Sequence, residues 1–375
     1  MQSIVKKEAY KDILTPRDRF KKVMEFQGVD RIPHYEFGYW DEVYGIWQKQ
    51  GLPDYVNDEA SANKYFGFDL FEKCPVNKGL KWLVPPFEYK ILEEDESHQT
   101  IIDEDGVNCI INKNGTSTIP KFLKFPLENR KDWNQLKRRL DPQDPRRIPD
   151  NWDDLVAAYA TRDYPLGINI GSLLGFIRDL MGFENTSIAF YDMPELMDEM
   201  IEYMCEFNIS IIEKILPFIE FDYASGWEDI AFKNGPIISP AMFKKFLFPR
   251  YKRIAEVLNK YGVKIIFTDC DGNIMPIVEQ WIEAGYTCQF PIEVASGTDP
   301  VILRKKYGKE VLLIGGVNKQ ALIKGEKAID AELKRIDPII NQGGFIPHVD
   351  HRCPPDVTFK NYHYYLDQKK KILGF

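Results

Sequence analysis

Short runs of β-branched and aromatic residues recur along the chain, and most lead into a stretch whose apolar positions return every three or four residues. That alternation predicts βα units around a parallel sheet. Residues 32–37 form the first such run, and residues 68–76 form a weaker second one. The rhythm then breaks. Residues 89–122 alternate and turn, through Ile101-Ile102, Asp105-Gly106, residues 108–111 and Asn114-Gly115, as antiparallel hairpins do. Residues 129–152 are charged and proline-rich, which predicts a surface helix and a linker. Beyond them the order is regular. Strand-like runs at 166–170, 221–225, 263–268, 287–291, 311–315 and 344–349 lead to helical patterns at 173–181, 240–261, 274–284, 299–307, 319–324 and 358–371. The helix at 274–284 follows Asp271-Gly272-Asn273, a turn and N-cap sequence. Eight strands, each leading to a helix, predict an α/β fold, a (β/α)8 TIM barrel with an antiparallel hairpin insertion in its N-terminal third.

In such a barrel the active site gathers at the C-terminal ends of the strands, so strand position becomes a list of candidates. The first strand supplies His34, Tyr35, Phe37, Tyr39 and Trp40, and the fourth supplies Trp227, Glu228 and Asp229. Thr268, Asp269, Cys270 and Asp271 follow the fifth, Glu293 the sixth, and His348, Asp350, His351 and Cys353 the eighth. Imidazole, thiol and carboxylate groups meeting at one rim are the donors that zinc takes in tetrahedral geometry, with one position open when the ion is catalytic. The same residues have other uses. Asp271 can cap the helix after it, and Glu228 with Asp229 can be an acidic pair at a helix N-terminus, although Asn234-Gly235-Pro236 argues for a long loop there. Asp350 beside His351 suits an orienting carboxylate, in support of a metal or of acid–base work. Cys353, before Pro354-Pro355, suits a loop, and Cys74, Cys109, Cys205 and Cys288 suit packing.

Composition narrows the partners. The chain has 375 residues, of which 44% are hydrophobic and 28% charged, enough to bury a core without disulfides or a structural metal. A net charge of −8, with no basic block longer than Lys369-Lys370-Lys371, makes nucleic acid a poor partner. The six cysteines are far apart and form no C-x-x-C pair, so they read as reduced thiols. Residues 173–183 and 209–219 are the most apolar stretches, but Arg178, Asp179, Glu213 and Lys214 interrupt them. Neither reaches the roughly 20 residues that a bilayer requires. Residues 1–11 are charged and carry no apolar export segment, so the expected location is cytoplasmic.

A set of motifs then appears in a familiar order. Gly235-Pro236-Ile237-Ile238-Ser239-Pro240, Phe243, Phe246 and Pro249-Arg250-Tyr251-Lys252 precede Asp271-Gly272-Asn273 and Gly315-Gly316-Val317. Gly343-Gly344, Asp350-His351 and Pro354-Pro355-Asp356 complete it. The chain, over about residues 14–373, resembles the uroporphyrinogen decarboxylase superfamily. The resemblance implies one barrel domain over residues 1–375, with the insertion at about 77–128. It also implies one of two chemistries: cofactor-free decarboxylation of uroporphyrinogen, or zinc-dependent methyl transfer involving a corrinoid on a separate protein. The departures favour the second. True decarboxylases carry a segment of the type Met-Arg-Gln-Ala-Gly-Arg after the first strand, where this chain reads Tyr35-Glu36-Phe37-Gly38-Tyr39-Trp40-Asp41-Glu42. Three acids and no arginine would repel a substrate rich in carboxylates. Methyltransferases that load coenzyme M hold zinc through His-x-Cys after the fifth strand and Cys after the eighth. Alignment on the following Gly-Asn puts Asp269, Asp271 and His351 there, while a shift of one residue restores Cys270. Losing thiolates argues against coenzyme M as the acceptor.

The resemblance therefore implies a zinc-dependent methyltransferase that moves a methyl group from a small methyl donor to the Co(I) corrinoid of a separate protein. A methoxylated aromatic is the expected donor, making this the first step of O-demethylation in an anaerobic cell. Glu228, Asp271 and His351 are its expected Zn2+ ligands, with Cys270 as the fourth. Asp350 and His348 are the expected catalytic or supporting groups, and Tyr35, Phe37, Trp40, Trp227 and Asp229 the expected substrate wall. Oxygen ligands leave zinc a hard Lewis acid, suited to charge developing on a departing phenolate oxygen. No Asp-x-His-x-x-Gly corrinoid motif occurs in this chain, so the cobalamin must arrive on a partner. A homodimer is a family expectation. The alternatives are a decarboxylase, and a non-catalytic protein that binds a corrinoid or small molecule.

Overall fold

The structure is a computed structural model that describes residues 13–75, 82–113 and 119–375. The turn expected at Asn114-Gly115, the segment 1–11 and the start of the insertion near residue 77 lie outside the described residues. Along the chain, β1 (Glu72–Lys73) comes first. The insertion follows as β2 (Lys90–Glu94), β3 (His98–Ile102), β4 (Asn108–Asn112) and β5 (Lys121–Lys124), paired in that order and antiparallel. Next are β6 (Leu166–Gly171) and β7 (Tyr223–Trp227), then a small hairpin of β8 (Ala231–Phe232) and β9 (Gly235–Pro236). The last strands are β10 (Ile266–Asp269), β11 (Cys288–Phe290), β12 (Leu312–Val317) and β13 (Phe345–Val349).

Seven of these strands form one parallel sheet in the order β1-β6-β7-β10-β11-β12-β13. Apart from the inserted hairpins, strand order is chain order, as a barrel wound from successive βα units requires. The eighth stave is irregular. The run expected as the first strand makes no ladder, because Pro33 has no N–H to donate and Gly38 turns the chain at φ 117. It still bridges the gap between β1 and β13. His34 O accepts from Asp69 N at 3.0 Å, Gly38 O accepts from Cys353 N at 2.9 Å, and Trp40 N donates to Cys353 O at 3.2 Å. A buried ion pair fixes this stave: Lys369 Nζ donates to Glu36 Oε1 at 2.6 Å, and Tyr365 OH donates to the same oxygen at 2.8 Å. Lys369 lies on the C-terminal helix Phe359–Leu373 and is fully buried.

The two longest of the helices not read from the pattern are Pro194–Ile215 and Glu326–Ile340. Pro194–Ile215 buries Met197, Met200, Ile201, Met204, Phe207, Ile211 and Ile215, a face repeating at helical spacing. Glu326–Ile340 buries Ile329, Leu333, Ile336 and Ile340 in the same way. The helix expected at 240–261 is divided into Pro240–Met242, a π turn at Phe243–Leu247, and Phe248–Lys260. Pro249 sits where the turn ends and cannot donate the bond that would continue a regular ladder. Among the described residues, no helix is long and apolar enough to cross a membrane.

Candidate functional site

The barrel lumen opens into a cavity of about 630 Å3, lined by Tyr35, Phe37, Phe71, Phe267 and Phe290 with Lys73, Ser225, Asp269 and His348 among its polar groups. Period-two geometry puts Phe267 and Asp269 of β10 on one face. The rings form a continuous wall: Phe71 stacks on Tyr223 at 4.6 Å, Tyr35 meets Phe71 at 4.8 Å, and Phe37 meets the face of Phe290 at 4.7 Å. Polar groups stand unpaired within it. The Tyr35 hydroxyl is buried without a hydrogen-bond partner among the described residues. Burial pushes the Asp269 carboxyl up to about 7, with Lys73 opposing the shift and Asp229 and Asp271 adding to it. Burial also lowers His348 to about 4, so its imidazole is neutral. Its Nδ1 lies 2.7 Å from Val349 O, which assigns the proton to Nδ1 and leaves Nε2 as an acceptor.

At the rim, His351 Nε2 lies 3.2 Å from Asp271 Oδ2. Trp40 stacks on the His351 ring at 5.7 Å, and Phe37 approaches it edge-on at 5.6 Å. Burial acts to lower His351, but its bond to Asp271 and that carboxylate's charge outweigh it and raise the imidazole above its ordinary value. Asp229 Oδ1 accepts from Asp271 N at 3.0 Å. Burial, then the charge of Asp271, pushes Asp229 upward. A second cavity, of about 780 Å3, lies between the insertion and this rim. Phe122 and Phe125 line one side, Phe183 and Phe232 another, and Asp229, Asp271 and Glu293 complete it. Gly272, at φ +86, lets the 271–273 turn lie against β8: a Cβ there would stand 2.6 Å from Ala231 O.

The structure does not bring the expected zinc set together. Asp271 and His351 meet, but Glu228 is directed elsewhere. Its carboxylate accepts from Leu173 N at 2.7 Å and from Leu174 N and Gly175 N at 2.9 Å, with Ser172 Oγ at 3.2 Å. It anchors the start of the helix Gly175–Met181. Gly175 permits that approach, since a Cβ would stand 2.1 Å from Glu228 O. Cys270 is 2% exposed, with its Sγ against Asp271 O at 3.5 Å, and burial drives its thiol well above the ordinary range. Among the described residues, no group of three His, Cys, Asp or Glu side chains is arranged to hold a metal ion. Asp350 does not orient His351: its two oxygens accept from Val294 N at 3.0 Å and Lys319 N at 2.9 Å. Tyr35, Phe37 and His348 line the lumen and Asp229 the second cavity, while Trp227 lies beneath the Arg178 guanidinium at 5.3 Å.

The uroporphyrinogen decarboxylase (URO-D) family profile matches residues 106–372. The chain belongs to the uroporphyrinogen decarboxylase family. No curated protein matches it. Among solved structures, it is similar to a methyltransferase from Methanosarcina mazei, with 15% sequence identity and a TM-score of 0.61 over 96% of this chain and 99% of that one. At that identity the likeness is one of fold.

Several lumen residues of this family member were not singled out from sequence. Phe71 and Lys73 belong to the weak second run, whose ladder is only two residues long. Phe267 and Phe290 were read as strand residues, and their inward direction could have been found from alternation with the neighbours they flank. Asp269 was considered only as a metal-ligand position. Its lack of a partner depends on what the other strands leave empty.

Proposed function

We propose that this protein is a methyltransferase that takes the methyl group of a methoxylated aromatic in the lumen cavity and passes it to the Co(I) corrinoid of a separate protein. The observation that carries this reading is an aromatic-walled cavity of about 630 Å3 with the Asp269 carboxyl on its wall, without a side-chain hydrogen-bond partner among the described residues. That volume lies in the range of small-molecule sites. Phe37, Phe71 and Phe290 offer ring faces and edges to an arene. The shared fold with a methyltransferase is in keeping with it.

In the proposed reaction the methyl acceptor is a second substrate delivered on its own protein. Co(I) supplies the electron pair of the new carbon–cobalt bond, while the electrons of the broken carbon–oxygen bond remain on the aryl oxygen. Protonated Asp269 donates a hydrogen bond to that oxygen and gives up its proton as charge develops there, so a neutral phenol departs. His348, neutral and open at Nε2, accepts from a hydroxyl substituent of the donor. The residues do not fit zinc as the resemblance implied, and no step is routed through a metal. The second cavity, beside the rim and edged by the half-exposed rings of Phe122, Phe183 and Phe232, is the surface proposed for the corrinoid protein.

The test is anaerobic incubation with free cob(I)alamin and two donors, neutral 2-methoxyphenol and anionic 3-methoxybenzoate. Methylcobalamin and demethylated product should form in equal amounts from at least one donor, and Asp269→Asn should slow the step about 100-fold or more. Failure of both donors with a folded protein would refute the proposal, and carbon dioxide release from uroporphyrinogen would favour the decarboxylase alternative.

A further inference from the structure

The charges around the lumen do not balance, and the imbalance has one sign. Four carboxyl groups line the cavity: Glu36, Glu59, Asp69 and Asp269. Three are already matched by cations. Glu36 holds buried Lys369 at 2.6 Å, Asp69 takes both arms of Arg31 at 2.6 Å, and Glu59 faces Arg352 at 3.2 Å. The fourth, Asp269, makes no ion pair within 4 Å among the described residues.

The cations are divided differently. Arg352 is engaged by Glu59 and by Tyr39 O at 2.7 Å. Lys64, on the helix Glu59–Phe66, also lines the cavity. Lys73 is the last residue of β1, placed opposite Gly167 of β6, and its exposed side chain lines the cavity. Its charge reaches Asp269, yet it has no ion-pair partner within 4 Å among the described residues. An ammonium beside an aromatic wall, with Glu36, Asp69 and Glu59 already bound to other cations, is complementary to a ligand that brings its own negative charge.

We infer that Lys73 is a specificity-determining residue that selects donors carrying an anionic substituent, an aromatic carboxylate, over neutral ones of the same shape. The inference rests on the reading of the lumen as the donor site. Under it, the ring lies against Phe71 and Phe290, the carboxylate meets Lys73, and the methoxy oxygen meets Asp269.

The test is calorimetric titration of the full chain with 3-methoxybenzoate and its neutral counterpart 3-methoxybenzamide. The benzoate should bind about 10-fold tighter or better, as a charge-assisted contact implies. Lys73→Met should abolish that preference, and Lys73→Arg should restore it. Equal binding of the two probes, no binding of either, or a preference that survives Lys73→Met would overturn the inference. The two readings fail separately. Methyl transfer without any Lys73-dependent preference overturns the inference and leaves the methyltransferase intact. Lys73-dependent benzoate binding without methyl transfer supports the anion site and removes the reaction.

Discussion

Asp269 ends β10 inside a wall of aromatic rings, and that environment sets its proton affinity. Its carboxyl, held up to about 7, is protonated in slightly acidic solution and ionised above neutrality. If the acid form donates to the departing oxygen, the methyl-transfer rate falls as pH rises through about 7, and Asp269→Asn removes that limb along with most of the rate. The same shift has a stability consequence. A carboxyl whose folded value lies above its unfolded one contributes stability that is fully present below the unfolded value and lost as pH rises through the folded one. Thermal melts should therefore show Asp269→Asn gaining on the parent between pH 5 and 8. Glu228 gives the opposite kind of prediction. Its carboxylate satisfies three backbone amides, so Glu228→Ala should cost about 3 kcal/mol in denaturant unfolding, irrespective of any added metal. Both residues were visible in the sequence as strand-end acids. Their roles were not, because Glu228 serves a helix that begins 53 residues earlier in the chain, and Asp269 is defined by the partner it lacks.

At the scale of elements, barrel closure depends on a stave that is not a regular strand. The segment around Glu36 is tied to β13 by Val349 N at 3.2 Å and to the C-terminal helix by Lys369 and Tyr365. Removing the cation alone leaves a carboxylate buried without its partner, so Lys369→Met should cost about 3–5 kcal/mol. Adding Glu36→Gln should recover part of the loss, measured as a double-mutant cycle in urea. The parallel strands from β6 onward were legible because each is a continuous apolar run flanked by turn residues, and the insertion because it alternates and turns. The first stave was read as a strand because its composition is that of one, while Pro33 and Gly38 limit its hydrogen bonds. Within the helix Pro194–Ile215, residues 209–215 read as part of an apolar run, while the helix shows itself in the spacing of Met197, Met200, Met204, Phe207 and Ile211.

For the whole molecule, two cavities share one end of the barrel. The lumen is walled by rings from both halves of the chain, and the second cavity exists because the insertion stands over the rim. The rim residues Asp271 and His351 lie where zinc was expected, but the loops that carry Glu228 and Cys270 turn those side chains away. Fold and rim location follow from βα rhythm, which is a property of sequence. A ligand set depends on where loop side chains point, which tertiary packing decides. In the proposed reaction the methyl carbon leaves an aryl oxygen in the lumen and arrives on cobalt. Trideuteromethoxybenzoate, incubated anaerobically with the protein and cob(I)alamin, tests it most directly by mass spectrometry of the product. Methylcobalamin should carry all three deuterium atoms, in amount equal to the hydroxybenzoate formed, and should be lost in Asp269→Asn. Unlabelled cobalamin with the donor recovered intact would contradict it.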